Sequence, residues 1–163
     1  MPAVSRILIA TDFGESSTAA FRYARELAQA FGAALHVVHV VGDIRDRAAS
    51  LPAPPVDLEI LQTEYEADAR RKLDALLTQD DTHIKATGAV ATVLTSNHAA
   101  AAILAYAAAQ GIDLIVAGTH GRSGFVDLFM GSVAQQIVRT APCPVVTLRG
   151  LPSDATRKDS TPS

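Results

Sequence analysis

The stretch GTHGRSGFVDLFMGS, from Gly118 to Ser132, is the part of the sequence that decides the fold. It follows a continuous apolar run, Ile112 to Ala117, which is typical of a parallel strand buried on both faces. It precedes Val133 to Arg139, which has the character of a short helix. Backbone N–H groups at such a strand-to-helix connection lack partners, and the helix dipole adds partial positive charge there. The stretch therefore predicts an anion site, most often one for phosphate.

The glycines of this stretch are spaced in a regular way. Two residues separate Gly118 from Gly121, nine separate Gly121 from Gly131, and the hydroxyl residue Ser132 follows. Glycine suits an anion site because a side chain would hold the ligand away from the backbone, and because it tolerates positive φ. The alternative is a glycine-rich turn without a ligand. A plain strand-to-helix turn rarely needs so many glycines, which favours the ligand site.

This spacing resembles the nucleotide-binding signature of the universal stress protein family, in its ATP-binding branch. The resemblance covers about residues 4 to 149. It implies that the ligand is an adenine nucleotide, with ATP and Mg²⁺ as the favoured choice. It also implies a regulatory role in stress response, exerted through an unknown protein partner. It also implies a homodimer joined through the fifth strands, at Val145, Val146 and Leu148.

The candidate nucleotide-binding residues lie in this loop and at the ends of the first two strands. They are Thr11, Asp12, Val40, Val41, Gly118, Thr119, His120, Gly121, Arg122, Gly131, Ser132 and Val133. We expect the phosphate oxygens to accept hydrogen bonds from the backbone N–H groups of the loop glycines, Ser132 and Val133. The Ser132 hydroxyl would add one donor.

Asp12 follows the first strand, Val4 to Ala10, at the edge where ligands bind in open parallel sheets. Its carboxylate could bond a ribose hydroxyl, or hold a metal or water beside the phosphates. The alternative is a loop carboxylate that caps nearby N–H groups. Val40 and Val41 end the second strand, where the resemblance implies backbone or apolar contact with adenine.

Four further side chains invite a functional interpretation. Arg122 is the only strong cation of the glycine loop, and it either pairs with phosphate or points to solvent. His120 could titrate near neutral pH and assist hydrolysis, or it only hydrogen-bonds the backbone. His36 and His39 are three residues apart on a predicted strand, so they should point to opposite faces and not share a metal.

Alternation of strands and helices predicts an α/β class with one parallel sheet. The resemblance specifies it as an open five-stranded, Rossmann-like sheet of the adenine nucleotide α-hydrolase type, in strand order 3-2-1-4-5 with helices on both faces. Residues 1–149 would form one domain, and residues 150–163 a disordered tail. Predicted strands are Val4–Ala10, Ala33–Val41, a segment within Ile84–Thr95, Ile112–Ala117 and Val145–Leu148.

The helices are predicted from the same periodicity. One begins at an N-cap at Ser16 or Ser17 and ends at Gly32, and a second, Val56 to Thr78, follows a loop from Asp43 to Pro55. The second helix should bury Leu58, Leu61, Tyr65, Ala69, Leu73 and Leu76. A third runs from Ala99 to Gln110, with its N-cap at Ser96 or Asn97, and the last from Val133 to Arg139.

Composition excludes several classes. The net charge of −3 without a basic stripe disfavours nucleic acid, and no apolar run approaches the roughly 18 residues of a membrane span. The first strand begins almost at once, which predicts no signal peptide. The single cysteine, Cys143, fits a reducing compartment and predicts a cytoplasmic protein.

The motifs of several enzyme classes are missing from the sequence: the P-loop, the dinucleotide fingerprint, zinc-binding pairs and a nucleophile elbow. We therefore name no catalytic or metal-ligating residue, and the sequence predicts an ATP-binding regulatory protein. The alternative is a slow ATPase or phosphoryl-transfer enzyme that uses the same site, with Asp12 and His120 placing water or metal.

Overall fold

The computed structural model describes residues 3–50, 52–53, 56–78, 88–119 and 130–149. Its strands are β1 (Arg6–Ala10), β2 (Ala34–Val41), β3 (Val90–Thr95), β4 (Leu114–Gly118) and β5 (Val145–Leu148). They form one parallel sheet in the order β3-β2-β1-β4-β5. The structure therefore confirms the predicted class and strand order.

Helices cover both faces of this sheet. They are α1 (Glu15–Phe31), α2 (Ile44–Ala48), α3 (Leu58–Thr78), α4 (Ala99–Gln110) and α5 (Ser132–Thr140). One core cluster joins the sheet to α1 and α3, and the other joins it to α4 and α5. Because the chain crosses one face between β1 and β2 and the other between β3 and β4, the winding reverses between β1 and β4. Ligands bind at such a reversal in open α/β sheets.

The central strand shows why the sheet is buried on both sides. Ile7 and Ile9 of β1 pack into the cluster with α1, whereas Leu8 between them packs into the cluster with α4. All three are fully buried. The continuous apolar run that marked this strand in the sequence is therefore the consequence of two covering layers. Within the described ranges, no helix has the length and apolar character needed to cross a membrane.

The predicted N-caps of two helices were wrong. Helix α1 is capped by Gly14, and Ser16 and Ser17 lie buried inside its first turn. Their hydroxyls serve other contacts: Ser17 Oγ donates to Asp12 Oδ1 at 2.8 Å and Ser16 Oγ to a β5 carbonyl at 3.3 Å. Helix α4 is likewise capped by His98 and not by Ser96 or Asn97.

The Asn97 side chain does not cap α4 but hydrogen-bonds to the start of another helix, which the sequence did not predict. Helix α2 lies within the segment expected to be a loop, and Asp43 caps it by accepting from two amides. The Asn97 side chain accepts from Asp43 N at 2.9 Å and donates to Asp46 Oδ2 at 3.0 Å. Such a short helix has little periodicity to detect, and its stabilising partner is distant in sequence.

The buried face of the long helix α3 differs from the predicted one at one position. Tyr65 of α3 is exposed rather than buried, and Gln62, one turn away, is buried in its place. Gln62 is buried because it bridges two segments: it accepts from Ile44 N at 3.0 Å and donates to Glu66 at 3.0 Å.

The predicted tail, residues 150–163, and the predicted strand positions 84–87 lie outside the described residues.

His36 forms a buried polar cluster between the sheet and α4. Its Nδ1 lies 2.8 Å from the Tyr106 hydroxyl, which lies 3.2 Å from Thr92 Oγ1. Burial, followed by the charge of Arg6, lowers the pKa of His36. The native state therefore holds a neutral imidazole at a pH where the unfolded chain, with an ordinary pKa of about 6.5, already binds a proton.

We expect acidification below pH of about 6.5 to destabilise the protein, because only the unfolded state then gains the His36 proton. The free energy of unfolding can be measured by urea unfolding at a series of pH values from about 7.5 to about 5.5. As the pH falls, we expect it to decrease more steeply in the wild type than in His36→Gln. The other histidines are present in both proteins and cancel in the comparison. Parallel pH curves would contradict this prediction.

Candidate functional site

A cavity of about 250 Å³ lies where β1, β2 and β4 end, at the reversal of the sheet winding. Helices α4 and α5 form its other walls. Its described lining consists of Ala10, Thr11, Asp12, Ser17, Val38, His39, Val40, Ala99, Ile103, Ala117, Gly118, Thr119, Gly131, Ser132, Val133, Ala134 and Ile137. Most of the predicted binding residues that fall within the described ranges are thus brought together here.

The N-terminus of α5 opens into this cavity without a side-chain cap. Its N-cap is Gly131, and the first hydrogen bond within the helix runs from Gln135 N to Gly131 O at 2.9 Å. The amides of Ser132, Val133 and Ala134 therefore have no acceptor within the helix. All three residues line the cavity, and the first turn carries no acidic residue. The arrangement offers three N–H donors and the positive end of the helix dipole to an anion.

Gly131 itself does not present its amide as expected. Its N–H donates to the Thr119 carbonyl at 2.5 Å, and the Thr119 N–H donates to the Leu148 carbonyl at 2.9 Å. These bonds fasten the start of α5 to the ends of β4 and β5. The expectation that the Gly131 N–H holds a phosphate oxygen is corrected accordingly, and Ala134, which the sequence did not single out, supplies a further amide.

Gly118 has a packing role that the sequence did not reveal. A Cβ built on Gly118 would lie 2.5 Å from Ser16 Oγ and 2.7 Å from the Ser16 carbonyl carbon. The first turn of α1 therefore lies directly against the end of β4, and only a glycine permits this approach. The absence of a side chain at position 118 is explained by helix packing, whereas its contact with a ligand stays a prediction.

Asp12 organises the turn between β1 and α1. Its Oδ1 accepts from Gly14 N at 2.8 Å and from Ser17 Oγ at 2.8 Å. This is the capping alternative foreseen for a loop carboxylate. Asp12 nonetheless lines the cavity, and it is the one carboxylate among its described lining residues.

The backbone N–H and C=O groups of Val40 and Val41 point toward different neighbouring strands. The Val38 carbonyl accepts from Thr11 N at 2.9 Å, so the backbone groups of Val38, and of Val40 two residues on, face β1. Val40 stands beyond the last residue of β1, where the cavity begins. The Val41 carbonyl instead accepts from Ser96 N at 2.9 Å, on the β3 side, and Val41 is not among the described lining residues.

His39 is a lining residue that the sequence interpretation missed. Its Nδ1 lies 2.7 Å from the Thr11 carbonyl, and its ring packs on Phe13 with the centroids 4.5 Å apart. His36 contacts Tyr106 of α4, so the two histidines do point to opposite faces of the sheet. The signal available in the sequence was the position of His39 beside Val40 at the end of β2.

Three predicted residues, His120, Gly121 and Arg122, lie outside the described residues. Their proposed contacts with phosphate or ribose stay predictions. Among the residues that the structure describes, no cluster of His, Cys, Asp or Glu has the arrangement of a metal site.

Comparison with known proteins places this chain in a family. The model of the universal stress protein family matches residues 3–149. A universal stress protein of Thermus aquaticus is 34% identical over 143 residues, which cover 88% of this chain and 97% of that protein. One from Methanocaldococcus jannaschii is 29% identical over 147 residues, covering 88% and 81%. The chain belongs to the universal stress protein family.

Solved structures of universal stress proteins have the same fold as this chain. The universal stress protein UspA from Lactobacillus plantarum superposes with a TM-score of 0.76 at 26% identity, covering 91% of this chain and all of that one. A universal stress protein in complex with cAMP has the same fold, with a TM-score of 0.61 at 22% identity and coverage of 91% and 99%. Another, from Archaeoglobus fulgidus in complex with dAMP, has a TM-score of 0.59 at 20% identity, covering 90% and 98%.

Proposed function

We propose that this protein binds ATP and acts as a regulatory protein in stress response. The observation that carries the proposal is the uncapped N-terminus of α5, whose amides at Ser132, Val133 and Ala134 line the cavity. An anion stabilises such a terminus through both hydrogen bonds and the helix dipole. Phosphate groups would therefore lie at this end, with the predicted loop residues Gly121 and Arg122 beside them.

The part of the cavity that lies at the end of β2 suits a nucleobase. Ala10, Val40, Ala99 and Ile103 give it an apolar wall, and the backbone of Val40 faces it from the end of β2. Adenine carries an acceptor, N1, beside a donor, the N6 amino group. A strand residue with its N–H and C=O on one side complements that pair, while guanine presents the reverse order. The proposal therefore assigns the base to Val40 rather than Val41.

Two structural relatives support an adenine nucleotide as the ligand class, because their structures hold cAMP and dAMP. Those ligands belong to those proteins, and ATP for this chain rests on the loop signature. Mg²⁺ would enter with the triphosphate. Asp12 is the one carboxylate among the described lining residues, but its Oδ1 already accepts from Gly14 N and Ser17 Oγ, and Mg²⁺ commonly retains several waters. No observation favours the ATPase alternative over simple binding.

Isothermal titration calorimetry with ATP and Mg²⁺ tests the proposal directly. We expect saturable binding with one nucleotide per chain. Titration with adenosine under the same conditions is the matched control, because it keeps the base and removes the phosphates that α5 should hold. A folded protein that shows no saturable heat with ATP would contradict the proposed function.

A homodimer through β5 is the second part of the proposal, and the two edges of the sheet support it. Pro144 and Leu148 turn their carbonyls toward β4, so the backbone groups of Val145 and Thr147 face outward. At the opposite edge, the Arg70 guanidinium donates to the outward Ala91 carbonyl at 3.0 Å. One edge is thus covered by a charged side chain, as monomeric edges commonly are, whereas no side chain within the described ranges bonds to the outward groups of the other.

We expect Thr147→Pro to convert the dimer to a monomer, because proline removes an outward N–H without disturbing the bonds to β4. Light scattering coupled to size-exclusion chromatography measures the change in mass. The matched control is Ala91→Pro, which makes the same change on the covered edge and should leave the mass unaltered. A Thr147→Pro protein that remains dimeric would show that the interface lies elsewhere.

We further propose that the nucleotide state alters a surface that a regulatory protein reads, and that the protein works in the cytoplasm. The cytoplasmic assignment rests on the single cysteine of the sequence, Cys143, which fits a reducing compartment. Protein capture with and without ATP, followed by comparison of the bound partners, tests the regulatory part.

A further inference from the structure

The end of the β1–β2 ladder departs from regular parallel pairing at the cavity. Thr11 N donates to the Val38 carbonyl at 2.9 Å, which is the last rung of the ladder. In regular parallel pairing the next rung would run from Val40 N to the Thr11 carbonyl. That carbonyl accepts instead from the imidazole of His39, at 2.7 Å. A carbonyl oxygen can only accept, so Nδ1 of His39 carries the proton.

The chain leaves the sheet at this point through a strained turn. Phe13 has φ of 63°, the one positive value at a non-glycine residue among those described. For a bulky side chain this conformation is costly, and it persists only where neighbouring contacts enforce it. Two of these are local, since Phe13 N donates to Thr11 Oγ1 at 3.0 Å and Gly14 N to Asp12 Oδ1 at 2.8 Å.

His39 adds the restraint that comes from the neighbouring strand. It holds the Thr11 carbonyl through Nδ1 and packs its ring on Phe13 at 4.5 Å. It also lines the cavity beside Val40. The same side chain therefore ends the ladder, supports the strained turn and borders the end of the cavity assigned above to the base.

We propose that His39 is a positioning residue for the nucleobase. Its imidazole donates to the Thr11 carbonyl, the acceptor that the next rung would use, and so orients this carbonyl away from the Val40 N–H and leaves that donor for the ligand. The inference rests on the proposed function, because it assumes that an adenine nucleotide occupies the cavity. It assigns part of the preference for adenine to a side chain that acts through Thr11 and Val40.

The variants that test it separate the hydrogen bond from the ring. His39→Phe keeps an aromatic ring on Phe13 and removes the donor. His39→Asn removes the ring and keeps an N–H donor at the position of Nδ1. We expect His39→Phe to weaken ATP binding by about threefold to tenfold, the equivalent of one hydrogen bond. ATP should lose more affinity than GTP, and His39→Asn should retain most of the wild-type affinity.

Hydrogen exchange at the Val40 amide gives a readout that needs no ligand. Without nucleotide, this amide should exchange faster than that of Val38, which lies within the ladder. In His39→Phe it should become protected, because it can pair with the released Thr11 carbonyl. His36→Asn, on the same strand but on the opposite face, is the control for general destabilisation and should leave Val40 exchange and base preference unchanged.

Each result decides between the alternatives. Three results would each overturn the inference. In the first, His39→Phe loses as much affinity for GTP as for ATP; in the second, His39→Phe and His39→Asn weaken ATP binding equally. In the third, the Val40 amide of the wild type is as protected from exchange as the Val38 amide. Absence of ATP binding in the wild type would instead refute the proposed function. The two failures are distinguishable, because the exchange measurement on the unliganded protein still reports whether His39 keeps Val40 out of the ladder.

Discussion

Gly131→Asp should abolish high-affinity ATP binding while it stabilises the fold. The N-cap of α5 has φ −58° and ψ 150°, a conformation open to aspartate, and no side chain caps it now. An aspartate there would accept from the first-turn amides and place a negative charge where phosphate should bind. At about 4 Å the repulsion is worth several kcal/mol, so we expect at least about a hundredfold loss of affinity.

The same substitution should raise the free energy of unfolding by about 0.3–1 kcal/mol, because aspartate is a favoured N-cap and interacts well with the helix dipole. A substitution that weakens ATP binding but raises the free energy of unfolding indicates a ligand site, because a purely structural turn would show only the change in stability. Calorimetry with ATP and urea unfolding measure the two effects. Gly131→Asn, a neutral N-cap, is the matched control and should bind more tightly than Gly131→Asp. Wild-type affinity in Gly131→Asp would mean that phosphate does not bind at α5.

Gly118→Ala should destabilise the protein whether or not nucleotide is present. The new Cβ would lie 2.7 Å from the carbonyl carbon and 2.9 Å from the carbonyl oxygen of Ser16. These are backbone atoms of α1, so a rotamer change cannot relieve the overlap, and the helix must shift. We expect a loss of about 1–3 kcal/mol in the free energy of unfolding. For a chain of this size, Tm would fall by roughly 3–10 °C.

Gly42→Ala is the matched control for this prediction. Its built Cβ comes no closer than 3.4 Å to the Asn97 Oδ1, and Gly42 is free of the positive φ that alanine would disfavour. Thermal unfolding of both variants without ligand should therefore separate them, with Gly42→Ala within about 0.5 kcal/mol of the wild type. Equal stability of Gly118→Ala and wild type would show that α1 does not require a glycine at the end of β4.

Much of the architecture could be predicted because its signals are local. Apolar runs such as Ile7 to Ala10 mark strands covered on both faces, and the glycines after β4 mark the connection to α5. Helix ends at glycine were equally visible: Gly32 and Gly111 both adopt the left-handed conformation that ends α1 and α4. Strand order required the family resemblance, since periodicity alone does not specify neighbours.

Two of the errors share a physical origin in contacts between residues far apart in sequence. The hydroxyl of Ser16 looked like an N-cap, but α1 approaches the sheet closely and this hydroxyl donates to the Leu148 carbonyl. Asn97 looked like a cap for α4 and instead holds α2. In each case a tertiary partner competed successfully with the local hydrogen bond that sequence patterns describe.

The sequence by itself determined the class of this protein, the location of its candidate site and the helix that offers its amides, because strand and helix periodicity and glycine placement are properties of short segments. Only the tertiary structure decided which groups in the site are already engaged. It pairs the Gly131 amide with Thr119, sets Gly118 against α1, and ends the β1–β2 ladder at His39. These assignments depend on the register and separation of parallel strands, which long-range packing fixes and no local pattern records.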